Sequence, residues 1–393
     1  MSHDKRNRTV LWGITLALVF PLLAASTAVR AQFAPSTSLE GYAFKIYRTE
    51  SGLYPFVRVY MRTFDQNMQP LLNLNELNVG VMVDGRSYDP AKRQYTVQTL
   101  RTCDEAVQCV FVIDCSGSMA GPPFQAALNA ATRFITNKRP QDQIGIIAVR
   151  DSDNLYELVS NFEKNSTVLG QRMLDLRADA KTTRLYDGIY AAIQMCGMTP
   201  TGGVNSADAD YIASRSIIVF SDGKDEGSVM SRDDLMTRIS NMTIPIPIYS
   251  LAYTRVERKY LGNLEALSKN TFGKYFDIGE ALENMTRSVE DIQNIVQNDY
   301  VVTLRSYQPV DGRPHSLKIG LEYPSRSGRM TYQDTQFEAI EPPPLELVLQ
   351  KQAVYNHHLK PLTPPDSPYL QNPYSAQTQP PAPSMPPEPP QGQ

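Results

Sequence analysis

Near residue 107 the texture of the chain changes, and this change limits the available folds more than any other feature. From Gly41 to Leu100 apolar residues come in short runs that mostly alternate: Tyr42-Ala43-Phe44-Lys45-Ile46-Tyr47, Phe56-Val57-Arg58-Val59-Tyr60-Met61 and Asn78-Val79-Gly80-Val81-Met82-Val83, followed by an Asp84-Gly85 turn signal. Val107 to Ile113, by contrast, is an apolar run of strand length without alternation, which suits a central strand covered on both faces. Helical and strand patterns then take turns. Helices are expected at Phe124 to Thr136, Leu185 to Met195, Arg232 to Asn241, Glu257 to Ser268 and Ala281 to Val296, and strands at Ile144 to Val149, Ser216 to Phe220 and Ile246 to Leu251. Such alternation predicts an α/β fold with a doubly wound, mostly parallel sheet. In sheets of this kind ligands gather at the carboxyl ends of the strands.

After Asn298 the strand pattern returns at Tyr300 to Arg305 and Ser316 to Tyr323, with Pro309-Val310-Asp311-Gly312 between them. The two β-rich flanks either pair into one small β-sandwich from which the α/β domain projects or form a separate β domain at each end; the first is expected, since each flank alone buries little. The organisation is then a β-rich segment at 40–102, an α/β domain at 107–297, a second β-rich segment at 299–340 and a proline-rich stretch at 341–393. From Pro361 onward twelve of thirty-three residues are proline, which predicts an extended, disordered tail. It serves as a plain spacer or, with Tyr369 and Tyr374, as a polyproline ligand for a second partner.

The first thirty-one residues read as a leader. Lys5, Arg6 and Arg8 precede an almost unbroken apolar run from Val10 to Ala25, and Ala31 offers a small residue for cleavage before Gln32. The rival is an uncleaved N-terminal membrane anchor, since Val10 to Val29 approaches the roughly 20 residues that span a bilayer. Either reading exports the body to a secreted, periplasmic or cell-surface position. A formal charge of −3 argues against nucleic acid or an anionic membrane as a general partner. Of the four cysteines, Cys103 and Cys109 have a spacing that a short disulfide loop can close, while Cys115 and Cys196 read equally as a second bridge or as small buried hydrophobes.

At the end of the Val107 to Ile113 run stands Asp114-Cys115-Ser116-Gly117-Ser118. A strand end followed by a small-residue loop lets three side-chain oxygens converge, with Gly117 permitting a tight backbone path. Asp114, Ser116 and Ser118 make a partial oxygen shell for a hard cation such as Mg²⁺, and Asp222, at the end of another apolar strand, is the natural second carboxylate. As a ligand on a surface loop, Asp114 is expected to be dispensable to the fold.

These residues resemble the von Willebrand factor A domain. Asp114, Ser116 and Ser118 match the D-x-S-x-S signature of its metal-ion-dependent adhesion site, Thr183 resembles the threonine opening its T-x-L-Y-D helix, and Asp222 resembles its [ST]-D-G aspartate. The β segments on either side look like those of exported bacterial members, with the Asp311-Gly312 region and the Leu317 to Tyr323 strand as a C-terminal hairpin. The resemblance implies five metal ligands, Asp114, Ser116, Ser118, Thr183 and Asp222, for Mg²⁺ or else Mn²⁺ or Ca²⁺. Asp187 and Asp225 then fall to positions that support the metal ligands from behind or cap a helix. Lys181 and Thr182 stand where the family usually has two glycines, placing a positive charge beside the site.

The implied activity is binding, with an Asp or Glu of a protein partner completing the coordination. The alternative is an assembly subunit of an envelope complex with a structural metal. A hydrolase is disfavoured. Histidines occur only at 3, 315, 357 and 358, so a Ser-His-Asp arrangement would need His315 to reach Ser116 from the β unit. Zinc-ligand spacing and phosphate-cradling glycine loops are both lacking.

Overall fold

The computed structural model describes residues 41–150, 156–198, 212–242, 246–253, 258–324 and 327–359. The leader expected at 1–31 and the tail from 361 lie outside them. The N-terminal flank supplies β1 (Ala43–Leu53), β2 (Phe56–Phe64), β3 (Val79–Val83), β4 (Arg86–Ser87) and β5 (Tyr95–Thr99). The middle supplies β6 (Ala106–Asp114), α1 (Pro122–Asn137), β7 (Gln143–Val149), β8 (Glu157–Glu163), α2 (Ser166–Leu174), α3 (Leu185–Met198), β9 (Ile212–Ser221) and α4 (Arg232–Ser240). It continues with β10 (Ile248–Tyr253), α5 (Arg258–Asn270), β11 (Tyr275–Gly279) and α6 (Glu283–Gln297). β12 (Tyr300–Arg305), β13 (Pro314–Leu321), β14 (Thr331–Glu338) and α7 (Glu346–His358) follow.

The central sheet has the order β11-β10-β9-β6-β7-β8, parallel except for β8. All nine residues of β6 are buried, as its unbroken apolar character requires. Its side chains still alternate between two cores. Phe111 and Ile113 join Phe124, Phe134, Val289 and Ile292 of α1 and α6, whereas Val110 and Val112 join Ile189, Leu235 and Leu264 of α3, α4 and α5. β8 runs antiparallel because the link from β7 is too short for a crossover, which needs about a dozen residues or more.

Both flanks contribute to each of two antiparallel sheets, ordered β1-β2-β12-β5 and β14-β13-β3-β4. Their facing residues share one core, including Val57, Val59, Val81, Val302, Leu317 and Ile319. The expected sandwich therefore forms, with one difference in detail. β12 and β13 lie in different sheets, so the Asp311-Gly312 segment crosses between sheets and the C-terminal hairpin is β13 with β14.

Two further expectations are corrected. Cys103 and Cys109 form no bridge: all four cysteines are buried and free. The thiols serve separate neighbours, Cys103 bonding the Leu100 carbonyl at 3.3 Å and Cys109 lying 3.1 Å from the Ser216 hydroxyl across the sheet. The stretch from 341 is not wholly without structure either. α7 packs Val348 and Tyr355 against Leu53 and Phe56, and Gln352 donates to the Tyr54 carbonyl at 2.6 Å. α7 itself contains no proline, and burial of those apolar side chains offsets its ordering cost.

The sandwich face toward the α/β domain carries arginines. Arg58 meets Glu105 at 2.6 Å and Glu50 at 2.8 Å, Arg62 meets Asp299 at 2.7 Å, and the Tyr355 hydroxyl adds a 2.9 Å bond to Glu105. Arg58, Arg62, Glu105 and Asp299 are buried and paired, the arrangement that makes charge tolerable away from water.

Candidate functional site

β6 and β9 are neighbours, with Ile113 opposite Phe220, so Asp114 and Ser221 emerge side by side at the carboxyl end of the sheet. The Asp114 carboxylate is fully buried. It accepts from the Ser116 amide at 2.9 Å and from the Ser221 hydroxyl at 2.7 Å. That geometry corrects the expectation of a dispensable ligand, because removing the carboxylate leaves two buried donors without their acceptor. The Ser116 and Ser118 hydroxyls lie 3.0 Å apart on the following turn. Gly117 needs no left-handed backbone; the turns that do are at Gly121, φ 86°, and Gly223, φ 81°. At Gly223 a β-carbon would also sit 2.8 Å from the Tyr260 carbonyl, so glycine follows Asp222 for two reasons.

Thr183 reaches this rim through backbone bonds. The Gly117 amide donates to the Ala180 carbonyl at 2.9 Å and the Ala180 amide to the Cys115 carbonyl at 3.1 Å, zipping the loop before α3 onto the loop after β6. On its other side the Thr183 carbonyl accepts from the Glu226 and Gly227 amides at 2.9 and 3.1 Å. Thr183 is therefore held between the β6 and β9 loops. Lys181 is exposed on the same loop.

Asp222 is buried, and its Oδ1 accepts from the Lys224 amide at 3.0 Å. Its Oδ2 has no hydrogen-bond partner. Burial, and then the charge of Asp222, push the Asp114 carboxyl up to about 6. Among the described residues neither aspartate makes an ion pair, and the nearby Lys224 ammonium is engaged by Glu226.

Asp187 and Asp225 do other work. Asp187 accepts from the Val229 and Met230 amides, both at 2.9 Å. Asp225 accepts from the Ser228 hydroxyl at 2.6 Å and the Tyr186 amide at 3.3 Å, so it and Ser228 satisfy open donors in the first turn of α3. Neither bonds a side chain of the five rim residues. Ser221 and Ser228 are not among the residues the sequence points to, although Ser221 stands directly before the Asp222-Gly223 pair. His315 is held by Asp84 and Asp311 in the sandwich at 2.9 and 3.2 Å.

The donor set on the rim is two carboxylates and three hydroxyls. No group of three or more His, Cys, Asp or Glu suited to a metal occurs among the described residues, so any cation here would depend on the serine and threonine oxygens.

Residues 109–224 match the family model for the von Willebrand factor type A domain. This part of the chain is a von Willebrand factor A domain. Such domains are generally protein-interaction modules. Among solved structures, the chain is similar to the SpRpn10 VWA domain at 15% identity and TM-score 0.35, covering 47% of this chain and 93% of that one. It is also similar to the three N-terminal domains of the type V pili tip protein Mfa5 from Porphyromonas gingivalis, at 20% identity and TM-score 0.26, covering 38% of this chain and 27% of that one. No curated protein matches the sequence.

Proposed function

We propose that the A domain is a cation-dependent docking module on an exported protein, holding Mg²⁺, or Mn²⁺ or Ca²⁺ in its place, through Asp114, Ser116, Ser118, Thr183 and Asp222. The observation that carries this reading is the pair of adjacent buried aspartates without a positive partner, one of them with an oxygen that bonds nothing. Buried charge of one sign is costly unless a counter-charge arrives, and an all-oxygen set suits a hard divalent cation. When bound, the cation supplies the largest local positive charge and an open position for a carboxylate of the partner. The chain's own part is to fix its donors. Ser221 and the Ser116 amide orient Asp114, the Lys224 amide orients Asp222, and the 180–183 loop brings Thr183 between them. The leader-like start supports export.

A structural-metal reading, with the protein acting as an assembly subunit of an envelope complex, is favoured by the depth of the site. Asp114 and Asp222 are 0% exposed, and Thr183 is 1% exposed. Two measurements separate the readings. Mn²⁺ titrated into the full chain and followed by electron paramagnetic resonance should give one tight site, lost in Asp114→Asn; no tight site would end both. Mg²⁺-dependent capture of a purified partner that is abolished by EDTA and by Ser116→Ala supports docking, whereas metal binding with chelator-resistant capture supports the structural role.

A further inference from the structure

Beside the rim a groove of about 380 Å³ opens between α1 and the end of α2. One wall is the α1 face that carries Gly121, Gln125 and Leu128, and the other runs from Met173 to Ala178. Both walls end at the rim. α1 starts at Pro122, just past the turn that holds Ser116 and Ser118, and the chain beyond Ala178 is tied to that turn by the bonds of Ala180 with Cys115 and Gly117.

The groove is apolar along its floor. Phe124, Met173 and Leu176 are buried, Leu128 is half-buried, and Leu174 stands 73% exposed at the edge. Uncovered apolar side chains of this kind gain free energy when another chain covers them. Arg177 adds positive charge at the rim end, its Nη1 donating to the Leu174 and Leu176 carbonyls at 2.5 and 2.7 Å. From Gly121 to Leu128 α1 rises about 10 Å. An extended peptide advances about 3.3–3.6 Å per residue, so rim and groove together suit a carboxylate followed three or four residues later by large apolar side chains.

The chain's own sequence holds such a segment, Asp366-Ser367-Pro368-Tyr369-Leu370. Asp366 cannot serve the rim of its own chain. α7 lies at the opposite end of the central sheet, where Tyr355 bonds Glu105, the residue before β6, and Leu359 clusters with Leu53 and Phe56. β6 alone spans about 26 Å, through a core covered on both faces. The chain from Leu359 to Asp366 reaches at most about 25 Å when fully extended, and a path around the domain is longer still. Glu388 has more length behind it, but Pro389, Pro390 and Gln391 follow it and offer the groove no large apolar side chain.

Resting on the cation-dependent reading of the rim, we propose that copies of this chain join head to tail: Asp366 of one copy completes the coordination at the rim of the next, and Tyr369 and Leu370 lie in that copy's groove. The contact uses different surfaces on the two copies, so it repeats into open chains.

Sedimentation velocity of the full chain should show a mass that rises with concentration in Mg²⁺ and stays that of a monomer in EDTA. Asp366→Asn and Asp222→Asn should each remain monomeric in Mg²⁺. Their equimolar mixture should form a heterodimer and nothing larger, because one intact tail meets one intact rim. Leu370→Ser and Leu174→Glu, on the two sides of the groove contact, should each weaken association about tenfold, and Glu388→Gln should change nothing. Mn²⁺ binding followed by electron paramagnetic resonance separates two failures. A tight Mn²⁺ site with no association, association indifferent to Asp366→Asn, a mixture that stays monomeric, or full association by both Leu370→Ser and Leu174→Glu would each overturn the head-to-tail contact and leave the rim reading standing. Absence of the tight site would overturn both.

Discussion

The two ends of the α/β domain treat buried carboxylates in opposite ways. At the junction with the sandwich, Asp299 has Arg62 and Glu105 has Arg58, each within hydrogen-bonding distance. At the rim, Asp114 and Asp222 are at least as deeply buried, and no cation of the chain meets them among the described residues. A paired buried charge is a fastening; an unpaired pair of like charges is a cost accepted for something else. The contrast separates paired from unpaired acidity without reference to motif.

The comparison breaks first at Arg62. Arg62→Met leaves Asp299 buried with its main partner gone, and should lower stability by about 3–5 kcal/mol, read from urea unfolding. A loss well under 1 kcal/mol would mean that the junction tolerates unpaired charge as the rim does. Next comes acid. Burial raises the Glu105 carboxyl, but Arg58 and then Lys351 outweigh it and hold the group at about 2, below its ordinary 4.5. A depressed carboxyl stabilises the fold above its unfolded value and loses that contribution as pH falls, here between about 4.5 and about 2, worth about 3 kcal/mol. Glu105→Gln should flatten the stability profile across that window. The smallest effect is expected at the rim and has the opposite sign. In EDTA, Asp222→Asn should stabilise the protein by about 1 kcal/mol by relieving like-charge repulsion. Added Mg²⁺ should then favour the wild type by thermal melting, and identical responses of the two proteins would remove the rim's claim to be a cation site.

The main elements of the fold were legible because their chemistry is local. β6 reads as a two-sided strand from its composition, and the alternation of helices and strands fixes the layers. β8, α2 and β11 were not expected. They lie at the margins of the sheet with half-exposed, mixed sequences, so their pattern is weak. The junction was hidden for a different reason. In β2, Arg58 and Arg62 occupy positions that alternation assigns to solvent, yet both are buried, because another domain covers that face. The rim aspartates and serines were visible as a strand-end loop. The bonds that bring Thr183 to them cross more than sixty residues, and only the resemblance to a known family suggested that meeting.

β12 lies between β2 and β5, pairing Tyr300 with both Met61 and Thr99. One of its neighbours is therefore a strand that left the ribosome roughly two hundred residues earlier, and closing a loop of that length is slow. During synthesis the early strands must wait, their central position empty, until the whole A domain has emerged. Folding of the A domain would shorten the loop left to close, because the Leu100 and Arg101 amides bond the Asp299 and Gln297 carbonyls at 2.8 Å and hold its two chain ends together. The strand order thus sets a limit on assembly: the sandwich cannot be completed until the chain has passed through the whole inserted domain.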